Sequence, residues 1–225
     1  MPAMPHAGTT ARRRRSRPAP LLFFRKFLRH GRRVASFAPS SRPLAAALCD
    51  HVTPDRPQVI VELGAGTGAV TAVACERMHP ESRLIAVEID RQFCRELRRR
   101  CPRAEVLPID VRSLPANLER LGVPRVDVML NGLPTPSLPR PVNRVVLDAF
   151  ARFASADAVF SQLTVMPWVY KPIYDRLFHE VTFRLVLRNV PPGGAYHCTG
   201  LREGYVDLVP GRDTDASRAT AAEPR

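Results

Sequence analysis

Apolar residues along this chain recur in two rhythms. Short mainly apolar runs, Val59-Ile60-Val61, Leu84–Val87, Ala104–Pro108 (interrupted by Glu105) and Val126–Leu130 (interrupted by Asp127), read as buried strands. Between the first three lie stretches with helical spacing, Ala69–Met78 and Arg91–Cys101, so strand and helix alternate as in a parallel α/β sheet. Further along, the pattern predicts a helix over Val142–Ala154 and a strand over Ala158–Leu163. A short segment with Trp168, Tyr170 and Tyr174 follows, then strands Glu180–Asn189 and Ala195–Leu201 joined by a Pro-Pro-Gly-Gly turn. The last two strands predict an antiparallel hairpin closing a mostly parallel sheet.

Each of the first four strands runs into polar residues. The first continues through Glu62 and Leu63 into Gly64, Gly66 and Gly68. The second ends in Glu88-Ile89-Asp90, the third at Asp110, and the fourth in Asn131-Gly132-Leu133-Pro134. Parallel strands end on one edge of their sheet, and ligands of such sheets bind there. A turn of alternating glycines lets backbone approach a ligand closely, and the helix behind it offers free N–H groups to an anionic group. Glu88 follows the glycines at about the twenty-residue offset at which an acid meets ribose hydroxyls. The competing reading of a carboxylate after a strand is a helix N-cap; it applies to Asp110, and Asp90 is the better-placed cap for the helix Arg91–Cys101.

With 225 residues the chain holds one domain of ordinary size plus tails. The formal net charge is +13, almost all of the positive charge being arginine, and eleven basic residues precede the first acid, Asp50. The charge is therefore concentrated in the first fifth of the chain. Five cysteines without a Cys-x-x-Cys pair or histidine spacing predict free thiols in a reducing cytosol and no metal site.

Residues 1–20 and 209–225 carry Pro, Ala and Arg without apolar periodicity and are expected to be disordered tails. Within 21–36, Leu21, Phe24, Phe27, Leu28 and Val34 fall on one helical face and Arg25, Arg29, Arg32 and Arg33 mainly on the other. Such a helix suits an anionic membrane surface, and equally suits packing on the body of the protein. No apolar run approaches the ~20 residues needed to span a bilayer. The catalytic domain is expected over 37–208, with the proline-rich loop Thr135–Pro141 as a wall of its site.

The spacing Glu62, Gly64, Gly66, Gly68 resembles the Glu-x-Gly-x-Gly-x-Gly motif of class I S-adenosylmethionine-dependent methyltransferases rather than the Gly-x-Gly-x-x-Gly of dehydrogenases. The resemblance implies a Rossmann-like methyltransferase sheet, with the glycine turn holding the methionine part of S-adenosylmethionine, Glu88 the ribose hydroxyls and Asp110 the adenine amine. Three further elements are similar to those of bacterial phospholipid N-methyltransferases: Ala38-Pro39-Ser40-Ser41-Arg42, Asn131-Gly132-Leu133-Pro134 and Arg188-Asn189-Val190-Pro191-Pro192. Together the matches cover roughly residues 20–205, and the departure is Asn131, where that family usually carries Ser. This resemblance implies an N-methyltransferase acting on the primary amine of phosphatidylethanolamine or an ornithine lipid, in successive rounds, at the inner face of the cytoplasmic membrane. Ala86–Arg91 also resembles ribosomal RNA adenine dimethyltransferases, which carry an aromatic residue after the proline of strand four; here Thr135 follows Pro134. RNA is a partner only under that alternative. A non-catalytic binding module is a third class, disfavoured by the intact glycines, Glu88 and Asp110.

Glu62 and Asn131 are counted with the glycines, Glu88 and Asp110 among the expected cofactor-binding residues; for the acceptor, Asn131 is expected either to orient the amine or to shape the turn after strand four. Tyr170, Tyr174 and Tyr196 are candidates for a cage around a methylated ammonium, against the alternative of core packing. His179 and His197 are weighed as proton acceptors, and Arg42 and Arg188 as contacts for a lipid phosphate or carboxylate, against structural and surface-charge roles. Ser40 and Ser41 are read as helix caps.

Overall fold

A computed structural model describes residues 41–211. The expected tail at 1–20, the amphipathic segment 21–36 and residues 212–225 of the tail expected over 209–225 lie outside these residues; the start of that tail is packed on the body, Val209 being buried and the Pro210 carbonyl accepting from Asn143 Nδ2 at 2.8 Å. The elements in chain order are α1 (Arg42–Leu48), β1 (Val59–Leu63), α2 (Ala69–Arg77), β2 (Arg83–Val87), α3 (Arg91–Arg100), β3 (Ala104–Leu107) and α4 (Leu114–Arg120). Then come β4 (Val126–Asn131), α5 (Arg140–Phe153), β5 (Ala154–Thr164), α6 (Pro167–Leu177), β6 (Phe178–Val186), β7 (Gly193–Leu201) and α7 (Tyr205–Leu208). No helix among the described residues is long and apolar enough to cross a membrane.

The strands form one seven-stranded sheet in the order β3-β2-β1-β4-β5-β7-β6. β1 to β5 pair in parallel, and β7 runs antiparallel between β5 and β6. The chain moves outward from β1 through β2 to β3, then returns to place β4 on the other side of β1. That reversal opens a crevice beyond the ends of β1 and β4, where open α/β sheets bind ligands.

Side-chain alternation sends Ile60, Leu84, Ala86, Val128 and Leu130 to one face, where they pack under α1, α2 and α3 with Leu44, Leu48, Val73 and Leu97. On the other face Phe160 meets Phe150 of α5, Phe178 and Tyr174 of α6, with ring centroids 5.4–6.0 Å apart. Both faces are covered by helices, which is why the central strands read as continuous apolar runs.

Several boundaries differ from the sequence expectation for local reasons. α4 was not anticipated; it spans only two turns, too short for a periodicity to register. α5 begins at Arg140 and not Val142, because Pro141 sits in the first turn, where its missing N–H has no helical partner to lose. The segment holding Trp168, Tyr170 and Tyr174 is a helix, α6, despite an internal Pro172. β6 begins at Phe178 and stops at Val186 rather than Asn189; the following residues turn toward Pro191 and Pro192, which cannot donate to a strand ladder.

Candidate active site

The turn after β1 is built by left-handed backbone at Gly64, Gly66 and Gly68, with φ of 75°, 53° and 84°. Only glycine holds such angles without strain. The turn is pinned to the neighbouring strand end, Gly64 N and Ala65 N both donating to the Val87 carbonyl at 2.9 and 3.1 Å. A Cβ on Gly64 would sit 2.7 Å from Leu133 Cδ2, whereas one on Gly66 would meet nothing closer than a carbonyl at 3.9 Å. The turn thus packs tightly on one side and leaves its backbone open at Gly66.

On the opposite wall of the crevice, Gly132 N donates to the Leu63 carbonyl at 2.9 Å, and a Cβ on Gly132 would press on the carbonyls of Leu63 and Gly64 at 3.2 and 3.3 Å. The turns after β1 and β4 therefore touch at the point where strand order reverses.

Three acids stand at this edge in different states. Glu62 is buried with Oε2 accepting from the Thr71 hydroxyl of α2 at 2.7 Å, and burial pushes its carboxyl up to about 7. Glu88 spans the glycine turn and the next helix: Oε2 accepts from Gly66 N and Oε1 from Asp90 N, both at 2.8 Å. Burial raises its carboxyl, against the backbone donors that lower it. Each carboxylate oxygen accepts more than one hydrogen bond, so this grip on the turn leaves acceptor capacity for hydroxyls. Asp110 caps the turn at Val111–Ser113 through Arg112 N at 2.9 Å and pairs with the Arg112 guanidinium at 2.7 Å. Burial raises its carboxyl, but the Arg112 hydrogen bonds outweigh that and hold it below the usual carboxylate range. Asp90 caps α3, as the sequence predicts, and Ser41 caps α1.

Asn131 ends β4 inside a buried polar cluster that the sequence did not reveal. Its Nδ2 donates to Gln162 Oε1 at 2.7 Å, and its Oδ1 accepts from Leu133 N at 3.1 Å. The same Gln162 oxygen accepts from the Tyr174 hydroxyl at 2.6 Å and the Thr135 hydroxyl at 3.0 Å, while Gln162 Nε2 donates to the Leu133 carbonyl at 3.1 Å. Asn143 Nδ2 holds the Thr135 carbonyl at 2.8 Å. Both ends of the Asn131 amide are thus engaged in fixing the 131–135 turn. In-register pairing of Asn131 with Gln162 on adjacent strands is the signal that would have linked them.

Tyr170, Tyr174 and Tyr196 are brought together and buried. Tyr174 lies 6.2 Å from Tyr170 and 5.9 Å from Tyr196 by ring centroid, and the Tyr196 hydroxyl donates to the Pro167 carbonyl at 2.8 Å. Their geometry is that of aromatic packing along α6 and β7. His197 is buried on the sheet's other side, its Nδ1 2.9 Å from Ser161 Oγ, and burial depresses its imidazole to about 4; His179 is exposed on β6. Arg42 pairs with Glu76 at 2.6 Å, and Arg188 is exposed. The first and last of the three family-like elements meet, with Ser41 N donating to Asn189 Oδ1 at 3.4 Å.

The glycine cradle, its open backbone at Gly66 and the acids at successive strand ends fit a nucleoside carrying an amino-acid tail. No protein-family model matches the chain. A curated relative, ornithine lipid N-methyltransferase from Singulisphaera acidiphila, is 42% identical over 187 residues, covering 82% of this chain and 97% of that protein. Among solved structures, Burkholderia thailandensis 1,6-didemethyltoxoflavin-N1-methyltransferase, solved with 1,6-didemethyltoxoflavin and S-adenosylhomocysteine, superimposes with a TM-score of 0.56 at 19% identity over 82% of this chain and 92% of its own. Aeropyrum pernix fibrillarin, solved with S-adenosylmethionine, gives 0.52 at 20% identity over 69% and 74%. At such identities the likeness is one of fold, and the fold is that of class I methyltransferases.

Proposed function

The chain belongs to the ornithine lipid N-methyltransferase family, and on that premise we propose that it transfers methyl groups from S-adenosylmethionine to the primary amine of a membrane aminolipid, an ornithine lipid or phosphatidylethanolamine. The observation that carries the reading is the 42% identity across nearly the whole relative, in a chain whose crevice presents Gly64, Gly66, Gly68 and Glu88 together. Bound S-adenosylmethionine supplies an electrophilic methyl group on a sulfonium. Gly64–Gly68 would hold its amino-acid end and Glu88 its ribose, with Asp110 near the base.

The rest of the work is positioning. An alkylamine has a pKa of about 10.4, so the acceptor must lose a proton before it can attack, and burial at the strand edge lowers that pKa. Asn131 contributes by holding Leu133 and, through Gln162, the turn that forms the acceptor side of the crevice. The ribosomal RNA alternative has less support: at the position where those enzymes place an aromatic residue, Thr135 is buried in the polar cluster. Attachment at the inner face of the cytoplasmic membrane, through the basic amphipathic segment 21–36, belongs to the same proposal and is supported by the arginine-rich pattern of that segment.

The test is lipid mass spectrometry after expression in a host rich in phosphatidylethanolamine, with and without ornithine-lipid synthesis. New species heavier by one to three methyl groups are expected, and the headgroup is named by the host that yields them. An unchanged lipid profile from folded, cofactor-binding protein would overturn the aminolipid reading.

A further inference from the structure

Large apolar side chains left in solvent are unevenly placed on this protein. Nine are exposed among the described residues, and seven of these lie within 166–169 and 183–190. Trp168 is 75% exposed, Leu187 72% and Val190 88%. Scattered apolar exposure is ordinary, but a concentration of this kind marks a contact surface.

The two segments are neighbours in space. Thr164 at the end of β5 pairs with Gly194, and Gly194 pairs in turn with Leu185 on β6. At a strand spacing of about 4.8 Å, the loop leaving β5 and the turn leaving β6 depart roughly 10 Å apart. The Tyr196 hydroxyl bonds the Pro167 carbonyl, and the Phe183 and Tyr196 rings are 4.5 Å apart, tying the start of α6 to β6 across β7. Through the parallel register of Leu63 with Asn131 and Asn131 with Gln162, this is the same edge of the sheet as the crevice.

Charge narrows the occupant. Residues 158–174 and 181–202 contain no acid; of the basic residues there, Lys171 pairs with Asp175 at the edge of the first segment and Arg184 with Asp50, while Arg188, in the exposed turn after β6, has no ion-pair partner among the described residues. An apolar rim bearing a tryptophan and flanked by arginine matches an anionic bilayer surface, where indole rings settle at the headgroup level and arginines meet phosphates.

We propose that the β5–α6 loop with the first turn of α6, together with the β6–β7 turn, forms an apolar rim, led by Trp168, Leu187 and Val190, that enters an anionic lipid surface and presents the crevice to the headgroups. The inference rests on the aminolipid reading and specifies which face of the domain meets the bilayer. It also explains why such exposure is tolerated beside the crevice, since the acceptor amine then reaches the strand edge without its acyl chains leaving the membrane.

Trp168 is the only tryptophan in the chain, so its fluorescence reports this rim alone. The full chain is mixed with vesicles of equal parts phosphatidylcholine and phosphatidylglycerol, with and without brominated acyl chains. A blue shift of Trp168 on adding vesicles, and its quenching by bromine, are expected. The double variant L187E and V190E, altered only at exposed positions, is expected to bind vesicles about tenfold more weakly or worse, with an unchanged melting temperature. Unchanged Trp168 emission from protein that co-sediments with vesicles would overturn the proposal, and so would an emission already blue-shifted before vesicles are added, which would mean that protein covers the rim. Methylated aminolipid formed in detergent micelles by a protein whose Trp168 ignores vesicles would sink the rim and leave the activity. A responsive Trp168 without any methylated lipid would do the reverse.

Discussion

The Tyr174 hydroxyl donates to the side-chain carbonyl of Gln162 at 2.6 Å, deep in the protein, and so couples α6 to the strand beside the crevice. Gln162 relays the contact in two directions, to Asn131 and to the Leu133 carbonyl. The turn after β4 is therefore set by a helix that lies on the far side of β5. A buried polar cluster of this kind stabilises only while all its members are satisfied.

Gln162→Leu removes the shared acceptor, leaving the Asn131 amide and the Tyr174 hydroxyl to compete for the longer contact with the Thr135 hydroxyl at 3.3 Å, and it strips the Leu133 carbonyl of its side-chain donor. A loss of about 3 kcal/mol in urea unfolding is expected, against about 1 kcal/mol for Tyr174→Phe, which removes one donor and orphans nothing. Turnover should fall further than cofactor affinity in Gln162→Leu, because the 131–135 turn lies on the acceptor side. Equal effects of the two substitutions on stability would show that the cluster does not act as a unit.

That cluster also marks where the sequence stopped being legible. Strand-end acids, the glycine turn and the caps Asp90 and Ser41 are local features, written within a few residues, and they appear in the structure where expected. Gln162 lies 31 positions from Asn131 and 12 from Tyr174, and its side chain is polar on a strand, which alone signals only a solvent-facing position. Only the register of β4 with β5 reveals that it faces inward. Tyr174 was legible as an aromatic near the site but not as a hydrogen-bond donor, for the same reason.

Gly66→Ala separates ligand approach from folding. With φ at 53° the substitution costs roughly 1–2 kcal/mol of strain, and the new methyl meets no protein atom closer than 3.9 Å. It occupies the open side of the cradle instead. Calorimetry with S-adenosylhomocysteine should show affinity reduced by at least about tenfold, some 1.4 kcal/mol or more, with the melting temperature only modestly lowered. Wild-type affinity in this variant would mean that the ligand does not lie against Gly66.

Two buried groups make stability depend on pH in opposite senses. Glu62, raised from 4.5 to about 7 chiefly by burial, holds a proton in the folded chain that the unfolded chain has released between those values. Its contribution is complete below 4.5 and is lost as pH rises to about 7, a total of about 3 kcal/mol. His197, lowered from 6.5 to about 4 by burial first and the neighbouring His51 second, is neutral when folded and charged when unfolded in that window. Its contribution is complete above 6.5 and is lost as pH falls to about 4, by a similar amount. Between pH 4.5 and 6.5 the two slopes cancel. Glu62→Gln keeps a partner for Thr71 and removes only the first, so its stability should rise with pH across that window relative to wild type, and exceed wild type above pH 7. Urea unfolding of both proteins at several pH values measures the difference directly; parallel curves would show that Glu62 is ionised in the folded protein throughout.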